Sequence, residues 1–143
     1  VPMSDTSRPF KISLPSRLES LSAIGDFVVK AGQALGLDQD QTYQAQLAVD
    51  EACTNVIQHG SSPAAPGTLS LECCRQGDAC VFTLRDQGQP FDPTAIPPPD
   101  LQADLHKRKP GGLGVFLMRK LMDQVSYRTE KGTNVLTMTK KVK

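Results

Sequence analysis

The chain has 143 residues, of which 38% are hydrophobic and 22% charged; this suits one folded domain and excludes a disordered charged tail. Sixteen Lys and Arg against fifteen Asp and Glu leave a formal net charge of +1, too balanced for the broad basic face that grips duplex DNA. No apolar run approaches the ~18 residues of a membrane span, and no secretory signal is evident, so a cytoplasmic protein without direct nucleic-acid or membrane binding is expected.

Residues 1–9 are polar with two prolines and read as a loose end, which leaves a single domain over 10–143. Phe10, Ile12 and Leu14 alternate with polar residues, as in a short strand. Ser16 after Pro15, with Glu19 three residues on, fits a capping box. Leu18, Leu21, Ile24, Val28, Ala31 and Leu35 then recur at helical spacing, and Gly36 ends the helix. Asp38 or Asp40 can cap a second helix running to about Gln58.

Two alternating stretches follow, with Leu69, Leu71 and Cys73 on one face and Cys80, Phe82 and Leu84 on the other's equivalent. Gln76-Gly77-Asp78 is the turn between them. Residues from about 93 to 111 are proline-rich and end in Lys107-Arg108-Lys109, which reads as a lid. Gly111-Gly112-Leu113-Gly114 then opens a third helix through Val115, Leu117, Met118, Leu121 and Met122. Val125 to Glu130 and Asn134 to Val142 form a last hairpin around Lys131-Gly132-Thr133. The order predicts an α+β two-layer sandwich, with helices on one face of a mixed, mostly antiparallel sheet. Cys53, Cys73, Cys74 and Cys80 show no C-x-x-C spacing and read as free, partly buried thiols rather than metal ligands.

Four places could carry chemistry. Glu51, Asn55 and His59 are four apart along the second helix, beside the apolar stripe of Ala45, Val49, Ala52 and Val56. Polar groups so close to a buried face are costly unless they bind something, although a simply solvated Glu51 is also compatible. Asp86 ends a strand, and Gly88 two residues later would let a ligand approach the backbone; an ordinary turn has the same composition. The glycines at 111, 112 and 114 open a helix whose free N–H groups suit an anion, or they are flexible loop residues. Gly132-Thr133 lies in a hairpin and matters only if that hairpin floors the same cleft.

In this fixed order the four places resemble a known family. LAVDEACTNVIQHG resembles the N box of the GHKL ATPases, which share the Bergerat ATP-binding fold. LRDQGQPFDP resembles the first glycine box, GGLGVFLMRKLMDQVSYR the second, and KGTNVLTMTKKV the closing box, so the likeness covers about Phe10 to Lys143. The Glu-x-x-x-Asn pair, the Pro-Phe-Asp continuation and the short lid resemble the anti-sigma-factor serine-protein kinases, the RsbW- and SpoIIAB-like branch.

The resemblance implies roles. Asn55 would ligate Mg2+, and Glu51 would be the general base. Asp86, with Gly88 beside the base, would accept from the adenine amine of ATP. Gly112, Leu113, Gly114 and Val115 would bind the phosphates, with Lys107 and Arg108 of the lid. Thr133 would support Asp86, and His59 would be structural. Pro90 stands where many relatives outside this branch carry glycine, so their lid geometry does not transfer. No phosphoacceptor-histidine helix pair precedes the ATP domain, so a complete sensor histidine kinase is not expected of this chain. The expected activity is phosphorylation of a serine or threonine on a STAS-domain anti-anti-sigma factor. Sequestration of a sigma factor by partner switching and a homodimer through residues 10–35 are expected with it. The alternative is a non-catalytic, nucleotide-gated module that holds a regulatory protein.

Overall fold

The computed structural model describes residues 9–60, 67–95 and 112–143. Residues 1–8 of the expected loose end (1–9), and residues 96–111 of the expected lid (about 93–111) with Lys107 and Arg108, lie outside the described residues; the first lid residues, Pro93–Ala95, form a 3-10 turn.

Strand β1 (Phe10–Pro15) is followed by a single 3-10 turn (Leu18–Ser20), helix α1 (Leu21–Ala34) and helix α2 (Gln39–Asn55). The first cap differs from expectation. Arg17, not Ser16, precedes the 3-10 turn, and Ser20 occupies the N-cap of α1 without a side-chain cap bond. Ser16 is instead buried, with its N–H donating to Gly67 O, and Ser20 Oγ donates to Pro15 O at 2.7 Å. Arg17 N donates back to Pro15 O at 2.8 Å, so the chain turns at Ser16 and the 3-10 turn begins one residue later than expected.

The start of α2 matches the expectation. Asp38 accepts from Gln41 N at 2.8 Å while Gln41 Oε1 accepts from Asp38 N at 3.1 Å, a complete capping box worth about 1 kcal/mol. Gln41 Nε2 also donates to Lys141 O at 2.7 Å, which ties the helix start to the last strand and fixes its direction across the sheet.

The remaining strands are β2 (Thr68–Gln76), β3 (Ala79–Asp86), β4 (Gln124–Glu130) and β5 (Thr133–Lys141), with helix α3 (Gly112–Leu121) before β4. Their order in the sheet is β1-β2-β3-β5-β4. The α+β sandwich is as expected, but all four pairings are antiparallel, so the sheet is not mixed. The pairing of β3 with β5 explains this: α3 and β4 intervene in sequence, yet β5 returns beside β3 in the opposite sense.

Alternation sets the faces. Leu71, Leu84 and Leu136 stand opposite one another across β2, β3 and β5, as do Cys73, Phe82 and Met138. All six are buried against Ile24 and Val28 of α1, Ala45, Val49 and Ala52 of α2, and Val115 and Met118 of α3. Fully burying each large side chain contributes about 1.5–3 kcal/mol. Lys131 and Gly132 both take positive φ, 49° and 84°, in the two-residue type I′ turn that matches the strand twist of the last hairpin. Among the described residues, no helix is long and apolar enough to cross a membrane.

Candidate active site

Helix α2 carries the first half of the site. Ala52 and Cys53 face the core, so Asn55 one turn beyond Glu51 sits at the inner edge of the helix, only 4% exposed. Among the described residues its buried Nδ2 has no hydrogen-bond partner. The Asn55 side chain bears on Glu51 as a hydrogen-bonding neighbour that lowers its pKa. Burial outweighs that, and with the negative charge of Asp50 it holds the Glu51 carboxyl above the ordinary carboxylate range.

The expected α-helix to Gln58 stops at Asn55. The chain continues as a π-helical turn over Val56–Gly60, widened to i→i+5 spacing. The widening takes His59 off the Glu51–Asn55 line. Its ring is exposed and stacks on Phe91 with centroids 4.3 Å apart and planes 3° from parallel, a structural contact. The same turn presses Gly60 O onto the chain after β3, where it accepts from Gln89 N at 3.3 Å.

That contact changes the reading of Gly88. A β carbon on Gly88 would overlap the Gly60 carbonyl, so the close neighbour that requires glycine is the protein's own backbone rather than a ligand. A β carbon on Gly114, near the start of α3, would overlap the Glu51 carboxylate. The helix opened by Gly112 and Leu113 thus presents its N-terminal end to the acid of α2. Val115 differs: its side chain is 2% exposed in the core, so only its backbone can face a ligand.

The floor of the site lies between β3 and β5. Asp86 Oδ2 accepts from Gly88 N at 2.9 Å and from Asn134 Nδ2 at 3.2 Å, and the same amide donates to Gly88 O at 3.0 Å. Asp86 and Asn134 are directly opposed in the strand register, whereas Thr133 opposes Glu130 in the turn. The contact to Asp86 that was expected of Thr133 is therefore made by Asn134. The sequence held a signal for it: Asn134, Leu136 and Met138 share the core-facing parity, so a polar residue at 134 faces inward.

A small cleft, open to solvent at its mouth, joins the two halves. Asn55, Asp86, Asn134 and Tyr127 supply its polar groups, and Ala52, Val56, Leu84, Phe91 and Leu136 its apolar walls. Tyr127, which sequence reasoning missed, accepts from Phe91 N at 3.2 Å and so fixes the loop that follows β3.

A slot with apolar walls, one strand-end carboxylate at its floor and an acid–amide pair against a helix N-terminus suits a flat heterocycle joined to phosphates, and on this sheet order it is the arrangement of a Bergerat-type ATPase domain. The chain belongs to the histidine kinase-like ATPase domain family, whose model matches residues 14–140. It is 34% identical over 134 residues to serine-protein kinase RsbW of Halalkalibacterium halodurans, covering 91% of this chain and 81% of that one. Serine/threonine-protein kinase BtrW of Bordetella bronchiseptica is 34% identical over 93 residues, 65% of this chain and 66% of that one. A crystal structure of the RsbU and RsbW domains of Rv1364c from Mycobacterium tuberculosis superposes on 94% of this chain with a TM-score of 0.66 at 16% identity. The chain spans about a third of that protein, 32%.

Proposed function

We propose that this protein is an ATP-dependent serine/threonine-protein kinase of the anti-sigma regulatory type, acting in the cytoplasm. Its substrate would be a STAS-domain anti-anti-sigma factor, and it would sequester a sigma factor when that antagonist is phosphorylated. The observation that carries this reading is the convergence of the Glu51 carboxylate on Gly114 at the start of α3, one helical turn from the buried amide of Asn55. The names of the relatives support the same reaction.

Asp86 would accept from the exocyclic amine of adenine, with Oδ2 already committed to Gly88 and Asn134 and Oδ1 left for the base. The N–H groups of residues 112–114 would face the phosphates, where a helix N-terminus favours negative charge. Asn55 fits a magnesium ion through its amide oxygen, a hard ligand held at the buried edge of the site. When bound, that ion would offset charge on the phosphate oxygens. Glu51 would take the proton of the acceptor hydroxyl as its oxygen bonds to the γ-phosphorus and the bond to the β-phosphate oxygen breaks, releasing ADP. The raised pKa of Glu51 makes its carboxylate a stronger base than an ordinary one, as proton abstraction requires.

We also propose a homodimer through residues 10–35. β1 is an edge strand, and Phe10 and Leu18 are 39% and 54% exposed on this segment. Light scattering at micromolar concentration should give twice the chain mass, and a strict monomer would remove this part of the reading.

The central test is incubation of the purified chain with Mg-ATP and a STAS-domain antagonist. Phosphate on an antagonist serine or threonine is the expected result. Binding of ATP with no transfer to any cognate antagonist would leave only the nucleotide-gated binding module. In the cell that alternative requires Glu51→Ala to leave partner regulation intact while Asn55→Ala abolishes it.

A further inference from the structure

We propose that Asn134 sets the choice of base, making the site accept adenine over guanine by filling the second lone pair of Asp86 Oδ2. This rests on the proposed binding of ATP and goes beyond it, because it assigns selectivity to a residue of the closing box to which the resemblance gives no role.

An ionised carboxylate offers two oxygens and about four lone-pair sites. In Asp86 both sites of Oδ2 are taken, one by Gly88 N at 2.9 Å and one by Asn134 Nδ2 at 3.2 Å. Only Oδ1 is left to receive a ligand. Adenine presents one exocyclic amine on this edge, beside a ring nitrogen that accepts, so a single open oxygen matches it. Guanine presents two adjacent donors, its ring N–H and its 2-amino group. A carboxylate with both oxygens open would take these two in a paired, bidentate fashion, the geometry that makes such contacts strong. With Oδ2 committed, one guanine donor is left without an acceptor in a largely buried slot, and a site that leaves a polar group unpaired discriminates strongly.

The orientation of the Asn134 amide is fixed by chemistry. Its Nδ2 also donates to Gly88 O at 3.0 Å, so both neighbours on that side are acceptors. Turned the other way, its oxygen would face a carboxylate and a carbonyl with no proton between them. The side chain is 4% exposed and belongs to β5 directly opposite Asp86 on β3, so it is held by the sheet rather than by a loop.

The test uses two nearly isosteric variants of the full chain, Asn134→Thr and Asn134→Val. Both are β-branched and suit a strand, so packing and strand preference cancel between them. Only threonine carries a hydroxyl that can donate across the strand pair, where opposed β carbons lie about 4.5–5.5 Å apart. Calorimetric titration with Mg-ATP and with Mg-GTP reads the ratio of affinities. Wild type and N134T are expected to favour ATP alike, and N134V to lose about tenfold of that preference, chiefly through tighter GTP binding, as one hydrogen bond predicts. An unchanged ratio in N134V, equal weakening of both nucleotides, or the same loss in N134T as in N134V would overturn the inference while leaving ATP binding in place. A wild-type chain that binds neither nucleotide would overturn the ATP reading itself, and this inference with it.

Discussion

The carboxylate of Glu51 on α2 lies against the α carbon of Gly114, the third residue of α3, so two helices from distant parts of the chain meet where an acid faces a helix start. Glycine at 114 is thus a matter of approach distance. A side chain there would occupy the space of the acid.

Gly114→Ala should therefore act on chemistry. The added methyl must push the Glu51 carboxylate away, and α3 cannot recoil freely because Val115 and Met118 anchor it in the core. Displacing a positioned base by about 1 Å can cost on the order of 100-fold in rate. Single-turnover phosphotransfer should fall by about that factor, with the circular dichroism spectrum unchanged. Transfer at wild-type rate would mean that Glu51 is not the proton acceptor.

Glu51→Gln should separate stability from activity. Burial first, then the charge of Asp50, raise the pKa of Glu51 above that of an ordinary glutamate, against a smaller opposing effect of Asn55. The folded state therefore holds the proton to higher pH than the unfolded chain does. Above the raised folded pKa, the ionised group weakens folding; below the ordinary carboxylate pKa this cost is gone. The glutamine variant should melt higher than wild type at pH 7.5, and the gap should close as pH falls below about 4. Phosphotransfer should drop by about 100- to 10,000-fold while ATP binding largely persists. The acid limb of the wild-type rate profile should lie above the ordinary carboxylate range.

Local chemistry made much of this site legible in the sequence. The Asp38 cap and the one-turn spacing of Glu51 and Asn55 depend on neighbours within four residues, and both appear as expected in α2. Asp86 at the end of β3 was likewise readable from strand alternation. What escaped depends on pairing between distant segments. The register that opposes Asn134, not Thr133, to Asp86 follows from the tight turn at Lys131-Gly132 and from β5 lying beside β3. The antiparallel sense of every pair has the same origin. The neighbour of Gly88 was hidden because a π-helical turn, which periodicity does not announce, delivers Gly60 to it. Ser16 misled because its side chain suits a cap while the backbone after Pro15 does not.

Thiol chemistry gives an independent check on the core. Cys53, Cys73 and Cys80 are fully buried, and burial is the main cause that pushes each thiol up, Cys80 to about 11. Cys74 points to the opposite face of β2 and is only partly covered, though burial raises it too. Since the thiolate is the reactive form, a disulfide reagent at pH 8 should modify Cys74 alone and slowly in the native protein. In denaturant all four cysteines should react. Rapid native labelling of Cys53 or Cys73 by mass mapping would contradict the closed core between the helices and the sheet.

Gly88 and Gly60 face each other, yet alanine should be tolerated very unequally. At Gly88 the new methyl would overlap the Gly60 carbonyl, and backbone on both sides leaves no flexible end to yield. Overpacking of this sort costs about 1–3 kcal/mol. The shift would also strain the Gln89–Gly60 hydrogen bond and the His59–Phe91 stack that close the end of the cleft. At Gly60 the nearest atoms to a new methyl are Asp86 Oδ2 and Gln89 O, each at 3.4 Å, which is ordinary contact. Urea denaturation should therefore show a clear loss of stability in Gly88→Ala and a change of less than about 1 kcal/mol in Gly60→Ala. Equal losses in the two variants would mean that the π-helical turn does not rest on the β3 loop in solution.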